Sequence, residues 1–168
     1  TLSVRRTSSF VVAVATAVLV TSAPVGADPS GYRPEILPIQ RVVDISDSGI
    51  IVGSDHGTAV SLKNGSIRIL PPLPGDVSSD AAAVNDRGDV AGWSTDPSGT
   101  QRAVVWQNGV PTALGSLGGS RSLPAAINNR GHITGFADLS DGPGRMTHAF
   151  FWDGTMHDLG PTDAPLSV

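Results

Sequence analysis

Residues 45–53 read ISDSGIIVG, residues 84–92 read VNDRGDVAG and residues 127–135 read INNRGHITG. Each stretch holds a turn sequence that ends in a glycine, and a second glycine follows four residues later. The three pairs are Gly49 and Gly53, Gly88 and Gly92, and Gly131 and Gly135. Self-similarity at a nearly constant period is typical of repeat architectures. The stretches therefore predict three copies of one structural unit.

Each copy continues with an apolar stretch, a tight turn and a closing stretch that ends in leucine. The apolar stretches are AVSL at 59–62, AVVW at 103–106 and AFFW at 149–152, and the closing leucines are Leu70, Leu114 and Leu159. Asn-Gly and Asp-Gly turns join them, and such turns accept positive φ at both central residues of a β-hairpin. Sequences such as Asn-Asp-Arg-Gly suit a type I turn closed by a glycine with positive φ. Each unit is therefore predicted to form four short antiparallel strands.

These units predict an all-β chain of antiparallel four-stranded repeats with a β-propeller-like architecture. A four-stranded unit of about 40 residues has the size of a propeller blade. Three blades do not close a ring, so we expect an incomplete ring of three blades or an open β-solenoid, with self-association as one way to complete a propeller. The predicted repeats span residues 41–80, 81–123 and 124–160, and a divergent tail covers 161–168.

The first 27 residues have the layout of a secretory signal. Arg5 and Arg6 precede an uncharged run over residues 10–23, and the small residues of 25–27 follow it. This order predicts a signal peptide that is cleaved after Ala27. The alternative is an uncleaved anchor, but the apolar core is shorter than the roughly 20 residues that cross a bilayer. We expect a secreted or cell-surface protein without a membrane segment, in which residues 28–40 form a linker or lead-in strand.

The composition excludes several classes of protein. Of 168 residues, 39% are hydrophobic and 15% are charged, which favours a packed domain over a disordered chain. The absence of cysteine excludes disulfide scaffolds and thiolate metal sites. The net charge is −4, and the cations are scattered along the chain without a basic stripe. Nucleic acid is therefore not expected as a partner.

The third copy carries a tripeptide that points to a known family. His148-Ala149-Phe150 is followed by Trp152, and Asp-Leu-Gly closes the unit at 158–160. Over residues 41–160 this pattern resembles the HAF-repeat family of extracellular bacterial proteins. The resemblance implies secretion and a propeller-like β fold, and it brings no catalytic residues.

His148 is the most obvious candidate for catalysis or metal binding. Its equivalents in the other copies are Thr58 and Arg102, so the repeat does not require imidazole there. We therefore expect a strand-entry or surface role for His148. The histidines also lack the spacing of a zinc site.

Calcium is the one metal that the acidic residues suggest. Hard oxygen ligands occur in turn-rich stretches at Asp44, Asp47 and Asp55, and again at Asp138 and Asp141. The alternating spacing of a calcium loop is missing, so turn formation is the favoured role of these side chains. We predict no cofactor and keep calcium as a weak alternative.

The aromatic residues divide into core and surface candidates. Trp106 and Trp152 share one repeat position with Leu62, which predicts a place in the core between blades. Trp93 lies beside the stretch that varies most between copies. The residues proposed for a ligand-binding loop are Trp93, Asp96, Arg102, Asp138 and Asp141.

Three functions remain open from the sequence. The favoured one is a secreted, non-enzymatic domain that presents variable loops to a protein or glycan partner. The predicted loops span residues 54–58, 93–102 and 136–148. A hydrolase or lyase acting on an extracellular polymer would need converging carboxylates, such as Asp96 with Asp138 or Asp141. The third hypothesis is a structural or truncated array without a ligand of its own.

Overall fold

The computed structural model describes residues 18–22, 32–36, 39–142 and 144–161. Within these residues the regular elements are fourteen β-strands, and no helix is present that could span a membrane. Strand β1 (Val18–Ser22) pairs antiparallel with β2 (Tyr32–Ile36) to form a two-stranded sheet. The predicted cleavage point after Ala27 and the end of the tail lie outside the described residues.

The described residues from Arg41 onward form three antiparallel four-stranded sheets, each with its strands in sequence order. Sheet 1 contains β3 (Arg41–Ile45), β4 (Ile51–Asp55), β5 (Thr58–Lys63) and β6 (Ser66–Leu70). Sheet 2 contains β7 (Ser78–Val84), β8 (Val90–Thr95), β9 (Gln101–Gln107) and β10 (Val110–Ala113). Sheet 3 contains β11 (Ser122–Ile127), β12 (Ile133–Asp138), β13 (Thr147–Trp152) and β14 (Met156–Pro161). The predicted all-β, propeller-like fold of four-stranded units is confirmed, in an open arrangement.

Some strands begin earlier than the sequence pattern suggests. Strand β7 starts at Ser78 and β11 at Ser122, ahead of the predicted repeat boundaries at 81 and 124. Both strands start with serine residues that carry no β-strand signal, and backbone pairing with the next strand extends them. Strand β2 lies within residues 28–40 and pairs with β1, so sheet 1 takes its first strand from Arg41 onward.

Two kinds of turn close the hairpins. In the first hairpin of sheet 2, the N–H of Gly88 donates to the carbonyl of Asn85 at 3.1 Å, and Gly88 has a φ of +88°. In the second hairpin, Asn108 and Gly109 have φ values of 53° and 85°. Positive φ at both central residues is the type I′ geometry that matches the twist of a hairpin.

The second glycine of each repeat lies against a β-bulge in the first strand of its sheet. The bulges fall between Val42 and Asp44, between Ala81 and Ala83, and between Pro124 and Ala126. A Cβ added to Gly92 would lie 2.1 Å from the carbonyl oxygen of Asp80, and Gly53 and Gly135 meet equivalent carbonyls at 1.8 and 2.2 Å. The bulge thus explains why glycine recurs at this position.

Apolar side chains fill the two junctions between consecutive sheets. Trp106, which is fully buried, packs with Val52 and Leu70 between sheets 1 and 2. Its indole N–H donates to the carbonyl of Pro71 at 2.7 Å. Phe150 is the largest buried side chain between sheets 2 and 3, and Trp152 is partly buried beside it. The sheets are therefore held together face to face by one side chain layer at each junction.

Two buried serines connect neighbouring sheets by hydrogen bonds. The hydroxyl of Ser79 accepts from the Ala59 N–H at 2.9 Å and donates to the Leu70 carbonyl at 2.7 Å. Ser122 takes the same position in sheet 3, where its hydroxyl accepts from the Ala103 N–H at 3.0 Å. Each serine satisfies a backbone donor that would otherwise be buried without a partner.

Candidate functional site

The loops that join the second and third strands lie at one end of the three sheets. They cover residues 56–57, 96–100 and 139–146. The loops are shorter than the predicted variable stretches because the strands run further than expected. Trp93 therefore lies in β8, Arg102 lies in β9, and Asp138 is the last residue of β12.

Asp96 organises the loop of sheet 2. Its carboxylate accepts from the Ser98 N–H at 2.8 Å, from the Ser98 hydroxyl at 2.6 Å and from the Thr100 N–H at 3.0 Å. The Ser98 hydroxyl is the main reason why the pKa of Asp96 is lowered. Hydrogen bonds of this kind stabilise the charged form of a carboxyl group and fix the turn around it.

Arg102 belongs to a partly buried polar network at the start of β9. Its guanidinium group donates to the carboxylate of Asp76, whose side chain is 1% exposed. Asp76 also accepts from the Ser94 hydroxyl at 2.5 Å, and the Ser94 oxygen accepts from the Leu73 N–H at 2.9 Å. The network joins β8 and β9 to the segment that leads into sheet 2.

Asp138 and Asp141 hold the loop of sheet 3. The side chain of Asp138 is 1% exposed, accepts from the Thr147 hydroxyl at 2.8 Å and pairs with Arg145 at 3.4 Å. The exposed Asp141 accepts from the N–H of Ser120 at 2.9 Å and from its hydroxyl at 2.8 Å, and these bonds lower the pKa of Asp141.

The three candidate carboxylates have separate hydrogen-bond partners. Among the described residues, the hydrogen-bond partners of the Asp96 carboxylate are Ser98 and Thr100, and neither is shared with Asp138 or Asp141. Asp96 and Asp138 are held by residues of their own hairpins, whereas Asp141 is held by Ser120, which precedes β11.

Hydrophobic side chains lie beside these polar loops. Trp93 is half-buried on β8, opposite Asp80 and Ala103. Phe136 takes the same position in sheet 3, where the guanidinium carbon of Arg121 lies 5.8 Å from its ring centroid. A third feature of these loops is an exposed apolar side chain that no sequence pattern marks.

That feature is Met146, which is 56% exposed at the end of the loop over 139–146. Its carbonyl accepts from the Leu139 N–H at 2.9 Å, so the base of the loop is closed by a backbone hydrogen bond. Its sequence neighbours are mostly glycine, proline and polar residues, so no periodic pattern marks it. An exposed methionine side chain is an adaptable apolar contact.

His148 lies where β13 begins. Its Nδ1 lies 2.8 Å from Asp158, and its side chain is 13% exposed. The N–H of Gly160 and the His148 ring both lower the pKa of Asp158. His148 and Arg102 both lie at the start of the third strand of their sheets, and each pairs with an aspartate from another segment.

Among the acidic residues considered for calcium, Asp44 lies at the junction of sheets 1 and 2. Asp44 accepts from the Ile45 N–H at 2.9 Å and from the Val84 N–H at 3.0 Å, which ties sheet 1 to sheet 2. Within the described part of the chain, no group of three or more histidine or acidic side chains could hold a metal ion.

A second polar feature lies at the opposite end of the sheets, where the turns of the first hairpins meet. The N–H of Ser48 donates to Asp86 at 2.9 Å, and the side-chain amide of Asn129 donates to the same carboxylate at 2.7 Å. Asn85 and Asn128 also line the cavity of about 240 Å³ between these turns. These hydrogen bonds connect three equivalent turns. The polar side chains that line the cavity therefore serve to hold the sheets together.

Comparisons of the chain with family models, with curated proteins and with solved structures find no match.

Proposed function

We propose that this chain is a secreted, non-enzymatic HAF-repeat-like domain that binds an extracellular protein or glycan through the loops joining the second and third strands. The observation that carries the proposal is the combination of three similar sheets with loops of two, five and eight residues. Loops that differ on a common scaffold are a usual place for recognition. In this proposal the strands hold the loops in place, and the loops contact the partner.

The internal hydrogen bonds of the loops support binding over catalysis. The Asp96 carboxylate fixes its own loop, Asp141 ties its loop to Ser120, and Asp138 is buried against Thr147 and Arg145. A pair of acids for glycoside chemistry would face one space from opposite sides of a sugar ring. Hydrogen bonds that order a loop before a partner arrives instead reduce the entropy lost on binding.

The test is binding without turnover. The purified protein is applied to an array of extracellular glycans and identified secreted proteins, and bound compounds are recovered for mass analysis. Met146→Ser changes the exposed apolar contact of the longest loop. Val110→Ser, at a residue 65% exposed near the opposite end of sheet 2, is the matched control.

We expect M146S to weaken binding about fivefold and V110S to leave it unchanged, because loss of an interface anchor costs about 1 kcal/mol or more. The recovered compound should keep its mass. Cleavage of the compound would identify an enzyme, and absence of binding across the array would overturn the proposal.

A second candidate role, self-association, rests on the face of sheet 3 that points away from sheet 2. Leu159 is 61% exposed, whereas Leu70 and Leu114 at the same repeat position are 2% and 4% exposed. Phe151, on the same face as Leu159, has ring contacts with His132 at 5.2 Å and His157 at 6.2 Å between centroids.

We infer that a second copy of the chain covers this face, with sheet 3 packing on sheet 3. A two-fold interface of this kind needs only one self-complementary surface. Light scattering should give a dimer mass for the protein and a monomer mass for Leu159→Asp. Ile69→Asp, at an exposed position of sheet 1, is the control and should remain dimeric. A monomer before any substitution would refute this role.

A further inference from the structure

The clearest concentration of positive charge lies in a groove between sheets 1 and 2. The groove has a volume of about 560 Å³ and lies at the hairpin-turn end of the sheets, opposite the loops of the proposed function. Lys63 and Arg68 approach it from sheet 1, and Arg87 approaches it from sheet 2. No acidic side chain among the described residues lines it.

The register of sheet 1 places these cations on one face. Lys63 pairs with Ser66, and Ser61 pairs with Arg68. Further along the same face, Leu70 is buried against sheet 2. The face is thus apolar where the two sheets touch and basic toward the turns, where the groove lies.

The charges in the groove are only partly neutralised. The guanidinium group of Arg87 donates to Asp89 at 2.6 and 3.0 Å, and the Asp89 side chain is 12% exposed. In the described part of the chain, Lys63 and Arg68 have no hydrogen bond or ion pair with an acidic residue. Two cations therefore remain available, in a protein with a net charge of −4.

The repeat itself does not require this charge. In sheet 2, the positions of Lys63 and Arg68 are taken by Gln107 and Thr112, which face the next junction. Sheet 2 forms the same hairpin with these neutral residues. The hairpin of sheet 1 therefore does not require these two charges.

We propose that this groove binds an acidic oligosaccharide, with the carboxylate or sulfate groups of the sugars held by Lys63, Arg68 and Arg87. Amide side chains at Asn64 and Asn108 also line the groove and supply hydrogen bonds for sugar hydroxyls. The volume lies within the range of about 300 to 1,000 Å³ typical of small-ligand sites.

The chemistry of the groove favours sugars over other polyanions. Among the residues whose structure is described, no aromatic side chain lines the groove, so bases have no surface there on which to stack. The neutral hydrogen-bonding side chains between the cations instead match the alternation of charged and hydroxyl groups along an acidic glycan.

The test uses calorimetry with four probes: an oligogalacturonate, a sulfated oligosaccharide, a neutral oligosaccharide of the same length and oligoglutamate. The protein is compared with K63Q/R68T, which introduces the residues of sheet 2 at the same positions. R121Q/R130Q removes two cations outside the groove and is the control for net charge. Circular dichroism verifies that all three proteins are folded.

We expect one of the two acidic oligosaccharides to bind, and the one that binds identifies the anionic group. K63Q/R68T should reduce its affinity about tenfold, because each lost charge-assisted contact contributes measurably to binding. R121Q/R130Q should change it less than threefold. Equal losses in both variants, equal binding of oligoglutamate, or no binding of either acidic sugar would each overturn the proposal, whatever the outcome at Met146.

Discussion

Substituting alanine for Gly92 tests whether the β-bulge excludes a side chain from this position. The new Cβ would lie 2.1 Å from the carbonyl oxygen of Asp80 and 2.8 Å from the ring of Trp106. Both obstacles are fixed, because one is backbone and the other is a fully buried side chain. To remove the clash between the new Cβ and the Asp80 carbonyl oxygen, the bulge must move by about 1 Å or more, since ordinary contacts lie near 3.5 to 4.0 Å.

The sign of the change in unfolding free energy distinguishes a glycine at this bulge from a glycine in an ordinary strand. Replacing a strand glycine with alanine usually stabilises a protein by about 0.5–1 kcal/mol. Overpacking a close-packed interior costs about 1–3 kcal/mol. Because the clash in this case is with backbone, we expect Gly92→Ala to lower the free energy of unfolding by about 3 kcal/mol, at the upper end of that range.

Urea denaturation followed by circular dichroism measures this loss. With a slope of about 2 kcal/mol per molar urea, the midpoint should fall by about 1.5 M. Gly99→Ala is the control, because nothing lies within 4 Å of its Cβ position and only the strain of its φ of +88° is added. That strain costs about 1–2 kcal/mol. An unchanged or higher midpoint for Gly92→Ala would refute the bulge as the reason for the repeated glycine.

Three further predictions concern single side chains. Ser79→Ala should lower the free energy of unfolding by about 1–3 kcal/mol, because it leaves a buried backbone N–H without an acceptor; a shift in urea midpoint below about 0.3 M would contradict this. Acrylamide should quench Trp152 fluorescence more than Trp106 fluorescence in single-tryptophan variants, since Trp106 is fully buried; the reverse order would contradict the packing. Ser98→Ala should raise the pKa of Asp96 toward its ordinary value of 3.8 in an NMR titration. Since a lowered pKa stabilises the fold above that value and the contribution is lost as the pH falls, the variant should also lose less stability on acidification.

The sequence predicted the secondary structure of the repeats because the relevant signals are local. A turn such as Asn108-Gly109 depends on the φ angles of two adjacent residues. The apolar alternation of a strand likewise depends on residues two positions apart. Repetition of these signals predicted three four-stranded sheets and the position of Trp106, although the limits of β7 and β11 depended on backbone pairing with another strand.

The candidate site was less predictable, since its properties come from residues distant in sequence. Asp96 is held by its near neighbours, but Arg102 meets Asp76 from a segment 26 residues away. Asp141 likewise meets Ser120 across 21 residues. A sequence pattern can predict that an aspartate lies in a loop. It does not show whether the carboxylate accepts a hydrogen bond from a residue distant in sequence.

The sequence by itself determined the repeat, its turns and the alternation of its strands, because each follows from φ preferences and side-chain periodicity over a few residues. Only the tertiary structure decided which face of each sheet is covered. It brought Lys63 and Arg68 together with Arg87 across a junction, and it left Leu159 exposed where Leu70 is buried. Whether a side chain is buried or lies near another charge depends on the two surfaces that pack together. The order of residues along one strand does not specify which second surface packs against it.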